Sequence, residues 1–120
     1  MHLKSEFCGQ DLLIAVEASR IDAVQAIDFK DKFRAAVAGS DGRVVLDMSA
    51  VGFVDSSGLG AIVASMKALG GSRKLELAGL QANVEKVFRL TRLDSVFTMH
   101  ATASEARRDL TGAAPSSVAV

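Results

Sequence analysis

The amino-acid sequence predicts an α/β fold: a mixed, mostly parallel β-sheet with an N-terminal antiparallel hairpin and about four helices. Three observations lead to this prediction. Two strand-like runs open the chain with only a turn between them, strand-like and helix-like segments alternate after that, and no linker rich in Pro, Gly or Ser divides the 120 residues. Strands that alternate with helices need crossover connections, which favour parallel pairing.

The opening hairpin is predicted from two runs, residues 2–9 and residues 11–17. Both runs alternate or carry β-branched residues, and Gly9-Gln10-Asp11 supplies a turn signal where they meet. We therefore expect an antiparallel pair at one edge of the sheet.

The first helix is predicted to follow Asp22, which together with Gln25 three residues later fits an N-cap pair. Apolar residues then recur at intervals of three and four, as in an amphipathic helix. These residues are Ala26, Phe29, Phe33, Ala36 and Val37. A turn over residues 39–42 ends this helix, and residues 43–48 form a short apolar strand.

The second helix is predicted to begin in the stretch Asp55-Ser56-Ser57-Gly58, after a linker over residues 49–54, and to stop at Gly70-Gly71. Its apolar positions are Leu59, Ile62, Val63, Met66 and Leu69. The remaining predicted elements are a strand over residues 74–78, a helix over 81–90, a strand over 95–99 and a helix over 104–110. We expect one domain over residues 3–110 and a flexible C-terminal tail over residues 111–120.

Composition excludes several classes of function. The 14 basic and 14 acidic side chains balance, and no basic run occurs, so neither nucleic acid nor an anionic membrane surface is an expected partner. The single Cys allows neither an intramolecular disulfide nor a multi-Cys zinc site. The N-terminus lacks the apolar run of a signal peptide, and no segment has about 18 uninterrupted apolar residues, so we expect a cytoplasmic protein.

The chemistry of the chain is concentrated where the second helix begins. A buried strand leads into a loop with one acid, two adjacent hydroxyls and two glycines, Gly58 and Gly60. The start of a helix presents backbone N–H groups without intrahelical partners and the positive end of the helix dipole, so it tolerates a phosphate. Helix capping by Asp55, Ser56 or Ser57 is the simpler interpretation, but capping explains neither the paired hydroxyls nor the two glycines.

Three enzyme or signalling sites are disfavoured at the same stretch. A serine hydrolase elbow needs Gly where Val54 stands and a His base, whereas His100, the sole internal His, is expected at the surface or as a cap. A dinucleotide site needs a third Gly where Val63 stands. A phosphate-accepting receiver domain needs a cluster of acids, whereas Asp47 is single and is interpreted as the polar end of a strand.

The stretch LDMSAVGFVDSSGLGAIVASMKAL resembles the signature of the STAS domain, in particular that of the bacterial anti-sigma factor antagonists. Residues 20–22 and residues 77–80, followed by Val84, Val87 and Phe88, also resemble this family. The resemblance implies the STAS fold and a protein that binds and is phosphorylated, with no catalysis of its own and no cofactor or metal.

The resemblance also implies the partners. Ser56 matches the position that is phosphorylated in the family by an anti-sigma factor that is also a serine kinase, which supplies ATP and magnesium. The unphosphorylated antagonist captures this kinase and releases the sigma factor, and a PP2C-type phosphatase restores it. Ser57 is the second candidate for the acceptor. The residues implied at the partner surface are Asp22, Asp55, Ser56, Ser57, Gly58, Leu59 and Gly60.

Two alternatives stay open. Asp55 either caps the helix or orients the acceptor hydroxyl, and Asp22 either caps the first helix or lines the partner surface.

Where the family often has a Gly shortly before Asp22, this chain has Ala18-Ser19-Arg20. A STAS module that serves as a scaffold or as a subunit of a lipid-transport system, without phosphorylation, is the competing function.

Overall fold

A computed structural model of the chain describes residues 1–70 and 73–110, which form four α-helices and seven strands. The strands are β1 (His2–Cys8), β2 (Asp11–Glu17), β3 (Arg20–Ile21), β4 (Val44–Asp47), β5 (Phe53–Val54), β6 (Leu75–Ala78) and β7 (Thr98–His100). The helices are α1 (Ala23–Val37), α2 (Ser56–Leu69), α3 (Ala82–Leu90) and α4 (Ala103–Leu110), with a 3₁₀ turn over Leu93–Ser95. The predicted tail, residues 111–120, and Gly71 of the predicted helix stop lie outside the described residues.

The main sheet has five strands in the order β1-β2-β4-β6-β7. The β1–β2 hairpin is antiparallel and the other pairs are parallel, so the predicted fold class is confirmed. The short strands β3 and β5 form a separate parallel pair.

The core lies between one face of the main sheet and the helices α1, α2 and α3. Alternate residues of β2, β4 and β6 point to this face, as the pleat of a strand requires. Phe29 and Phe33 of α1 stack with ring centroids 6.0 Å apart, and Phe88 of α3 meets Phe97 edge to face at 5.7 Å. All four rings are buried, and the apolar stripe predicted for the first helix is its core face.

The opposite face of the sheet is covered by α4. Three sheet residues, Leu13, Val45 and Ala78, bury their side chains against Ala106 and Leu110 of this helix. Among the described residues this second cluster is small, with five buried residues against nineteen in the main core. The docking of α4 therefore depends on additional interactions.

Those interactions are ionic and centre on Glu76, a buried carboxylate on β6. Arg43 donates two hydrogen bonds to it, from Nε at 2.8 Å and from Nη2 at 2.7 Å, and the same Nη2 donates to Asp109 of α4 at 2.6 Å. His100 Nε2 donates to Glu76 at 2.7 Å. His100 was expected at the surface or as a cap; instead it is mostly buried and pairs with an acid 24 residues away.

These contacts shift the titration of the acids. Burial by itself raises the pKa of Glu76, but the hydrogen bonds from Arg43 and His100 outweigh it, so the pKa lies below its ordinary value of 4.5. The hydrogen bond from Arg43 also lowers the pKa of Asp109. Both carboxylates are therefore held in the charged form.

Two predicted boundaries are wrong. The predicted linker over residues 49–54 contains β5, because its last two residues pair with β3. The predicted strand over residues 95–99 begins only at Thr98, because Leu93–Ser95 forms a 3₁₀ turn. Each of the other predicted strands and helices begins and ends within one residue of the observed element. This comparison covers the ends that were predicted and that lie in the described residues.

We predict that Glu76→Gln lowers the free energy of unfolding by about 2 kcal/mol at pH 7, because it removes charge-assisted hydrogen bonds to Arg43 and His100. Since the pKa of Glu76 is depressed by folding, its stabilisation is complete above the unfolded value of 4.5 and is lost as the pH falls through the folded pKa. The difference between wild type and variant in urea unfolding should therefore stay constant from pH 7 to about pH 5 and shrink as the pH falls below 4.5.

Glu85→Gln is the matched control, because Glu85 makes a long, exposed ion pair on α3, with its carboxylate oxygen 3.7 Å from Nη1 of Arg89. It should change stability by less than about 0.5 kcal/mol. An equal loss in the two variants, or a difference that does not depend on pH, would contradict the role assigned to Glu76.

Candidate functional site

Two helices begin side by side at the site. In the parallel β3–β5 pair, Arg20 lies opposite Phe53 and Ile21 opposite Val54. Each strand is followed by a single acidic residue and then by a helix, α1 after Asp22 and α2 after Asp55. The short strand pair therefore places the two helix starts in register.

Asp55 connects these two helix starts. Its Oδ1 accepts a hydrogen bond from the backbone N–H of Gly58 at 2.8 Å, which caps α2, and its Oδ2 accepts one from the N–H of Ala23 at 3.2 Å, which belongs to α1. Its own backbone N–H donates to the carbonyl of Ile21 at 3.3 Å. Both carboxylate oxygens are thus engaged by backbone groups, and the capping interpretation of Asp55 is confirmed.

Asp22 caps α1 in the same way. Its Oδ1 accepts from the backbone N–H groups of Val24 at 3.1 Å and Gln25 at 3.2 Å. The capping role expected for Asp22 is therefore confirmed. Its place at the partner surface stays a prediction.

Ser56 and Ser57 are exposed and occupy the first turn of α2. Both residues therefore lie at the N-terminal end of α2, where the helix dipole is positive. Because both serines are exposed, a second protein, such as a kinase, can reach either of them. Leu59, in contrast, is partly buried against the core and helps to hold the helix in place.

The two glycines of the motif have different roles. A Cβ at Gly58 would lie 1.9 Å from the carbonyl oxygen of Ile21, so only Gly lets α2 approach β3 this closely. A Cβ at Gly60 would meet no atom within 4 Å. Packing within the described residues explains why position 58 must be Gly, but it does not explain the Gly at position 60. Gly60 leaves the exposed surface of α2 without a side chain at that position.

An apolar surface that sequence reasoning missed adjoins these helix starts. Phe53 is 47% exposed, and the guanidinium of Arg20 lies 5.7 Å from its ring centroid and 3.6 Å from a carboxylate oxygen of Asp22. Val24 is 82% exposed and Ile27 is 68% exposed on the following turns of α1. The available signal was the position of Phe53, a large apolar residue two places before the motif acid.

A metal site must be considered at Glu76, His100 and Asp109, whose ligand atoms all lie within 4.8 Å of one another. Arg43 Nη2, which bonds to both carboxylates, already supplies the compensating positive charge. The cluster borders a depression of about 430 Å³ whose lining is mostly charged, whereas small-molecule sites are mostly apolar. These residues are therefore accounted for by the docking of α4.

Within the described parts of the chain, no helix combines the length and the apolar character needed to cross a membrane. Residues 9–106 match the family model of the STAS domain, which is more than half of the chain. The chain belongs to the STAS domain family. The resemblance noted at the DSSGLG motif is thereby confirmed for the domain as a whole.

Solved structures agree with this assignment. An anti-sigma factor antagonist from Mycobacterium paratuberculosis is 27% identical, with a TM-score of 0.79 over 91% of this chain and 92% of that one. A candidate anti-sigma factor antagonist from Thermotoga maritima is 25% identical, with a TM-score of 0.72 over 90% and 93%. The phosphorylated form of the Bacillus cell fate determinant SpoIIAA is 21% identical, with a TM-score of 0.67 over 91% and 99%, and shares the fold.

We predict different effects on stability for alanine at the two motif glycines. Gly58→Ala should lower the free energy of unfolding by about 2 kcal/mol, because the new methyl group forces α2 away from the carbonyl of Ile21. Gly60→Ala should leave stability unchanged or raise it by up to about 1 kcal/mol, because Ala favours the helix and meets no atom. Urea unfolding of both variants measures the contrast, and equal effects would contradict the close approach at Gly58.

Proposed function

We propose that this STAS domain is an anti-sigma factor antagonist that captures an anti-sigma factor with serine kinase activity and thereby releases a sigma factor. Phosphorylation on Ser56 ends the capture, and a PP2C-type phosphatase restores it. The observation that carries the proposal is that Ser56 is exposed at the first position of α2, directly after the capping Asp55. The similarity to the Mycobacterium and Thermotoga proteins supports it.

The chemistry of the transfer belongs to the partner. Ser56 supplies the attacking hydroxyl, and the kinase supplies ATP, magnesium and the base that takes the proton. Asp55 is not suited to be that base, since both of its oxygens accept backbone hydrogen bonds. Its contribution is to hold the start of α2, and with it Ser56, in one position relative to α1.

A phosphate on Ser56 changes the surface more than the fold. It adds a charge of about −1.5 to −2 at the positive end of the dipole of α2, where an anion is tolerated. The same charge stands beside the fixed carboxylate of Asp55, on the surface that includes Phe53 and Val24. A partner that packs against this apolar surface has to desolvate the phosphate, and binding is lost.

A scaffold function without phosphorylation is the alternative, for example as a subunit of a lipid-transport system. It requires a partner but no access to Ser56. The two functions differ in a single measurable property, the gain of phosphate mass on incubation with ATP and the cognate kinase. A chain that binds its partner but gains no phosphate under these conditions is a scaffold.

We predict that Ser56→Ala abolishes this phosphorylation and leaves the domain folded, because the side chain is exposed and makes no contact that the core needs. Intact-mass spectrometry after incubation with the kinase and ATP measures the effect. Ser57→Ala is the matched control, one residue along the same turn, and should be phosphorylated to full stoichiometry. The reverse pattern would move the acceptor to Ser57.

We also predict that Ser56→Glu weakens binding to the kinase at least about tenfold, because a charge is placed at the surface that has to be desolvated. Calorimetric titration measures the affinity. Ser104→Glu is the control, since Ser104 is also exposed in the first turn of a helix but lies on α4, across the sheet from α2. Unchanged affinity in Ser56→Glu, or an equal loss in the control, would reject the electrostatic explanation.

A further inference from the structure

The strand β1 is at the edge of the main sheet, and none of the described residues pairs with its outer side. Its seven residues run in full antiparallel register with β2 from His2 opposite Glu17 to Cys8 opposite Asp11. Edge strands of this length are usually covered or blunted, because their unsatisfied backbone groups attract other strands. Phe7 on this strand is 60% exposed, so a large apolar ring stands at the open edge of the sheet.

The register determines which backbone groups of β1 point outward. A two-residue turn, Gly9-Gln10, joins the strands, and such a turn is closed by a hydrogen-bonded pair, here Cys8 with Asp11. Bonded and non-bonded pairs alternate along an antiparallel ladder. The N–H and C=O groups of Leu3, Ser5 and Phe7 therefore face away from β2, toward the open edge.

We infer that two copies of this chain associate by antiparallel pairing of their β1 strands about a two-fold axis at Ser5. In this register Ser5 lies opposite Ser5 of the other copy, and Leu3 lies opposite Phe7 on both sides of the axis. All three outward-facing residues then form hydrogen-bonded pairs. The sheets of the two copies become one continuous sheet of ten strands.

Charge complementarity selects this register. About Ser5, Lys4 of one copy lies opposite Glu6 of the other, twice, at the non-bonded positions where side chains are closest. Moving the axis by one residue places Lys4 opposite Lys4 or Glu6 opposite Glu6, and like charges in direct opposition are destabilising. Lys4 makes no ion pair among the described residues, whereas Glu6 already pairs with Arg107 of α4. The dimer thus supplies Lys4 with an acidic partner.

The apolar side chains are complementary as well. Leu3 packs partly against the main core, and Phe7 points to the same face of the sheet because both alternate with Lys4 and Glu6. In the dimer, Phe7 covers the exposed side of Leu3 of the other copy. This contact removes the exposed aromatic ring from water. Since one strand pair is a small interface, we expect association in the micromolar range.

Sedimentation velocity of the full chain, followed from about 1 to 300 μM, tests the inference at concentrations that span this expected affinity. The wild type should shift with concentration toward twice its mass of 12.6 kDa. Lys4→Glu and Glu6→Lys should each weaken the association at least tenfold, because each creates two like-charge pairs. The double exchange Lys4→Glu/Glu6→Lys should restore association, because a Glu at position 4 of one copy again lies opposite a Lys at position 6 of the other.

A wild type that stays monomeric over this range would overturn the inference, and so would single variants that associate as well as the wild type. Glu6→Lys and the double exchange both break the ion pair with Arg107. The thermal unfolding of both variants is therefore measured, to check that a change in association is not caused by a loss of stability.

Ser5→Pro provides a test that does not involve charge. It removes an outward N–H that β2 does not use, and Pro is tolerated at such edge positions, so the chain should fold and remain monomeric. Continued dimerisation of Ser5→Pro would equally overturn the inference.

Discussion

The site of this STAS domain depends on one carboxylate that serves two helices. Asp55 accepts the N–H of Gly58 in its own helix and the N–H of Ala23 in the neighbouring one. An ordinary N-cap satisfies donors of a single helix and leaves its position relative to other elements undetermined. Here the second hydrogen bond, together with the β3–β5 pair, fixes the two helix starts relative to each other. The glycine at position 58 is part of the same constraint, since any larger residue would separate α2 from Ile21.

Local patterns were sufficient to predict the helix starts and most of the sheet. Asp22 and Asp55 carry the capping signal in their own side chains, and the stripe that includes Phe29 and Phe33 marks the core face of α1 directly. The strands β3 and β5 were missed because two residues are too short to show an alternation. They exist because two distant segments pair, and only the folded chain brings Ile21 next to Val54.

The same limit applies to the charged groups. Nothing in the neighbourhood of His100 in the sequence indicates that it meets Glu76, 24 residues away, or that Arg43 reaches both that acid and Asp109. Glu76 is buried on a central strand, where acids are rare, but neither its burial nor its cationic partners can be predicted from the residues next to it in the sequence. In the motif, too, sequence reasoning treated both glycines alike, although only Gly58 has an intramolecular reason.

The proposed switch follows from how completely the helix start is already satisfied. Because the carboxylate of Asp55 is held by two backbone groups, a phosphate on Ser56 meets a fixed negative neighbour and gains nothing by displacing it. A rearrangement of α2 would also have to break the close packing of Gly58 on Ile21. Keeping the fold requires less rearrangement, and the added charge is then exposed at the surface, on the same face of α2 as Gly60. In the proposed switch the domain keeps its fold when it is phosphorylated, and the change occurs in the binding of the partner. A rigid domain is therefore an advantage for this kind of regulation.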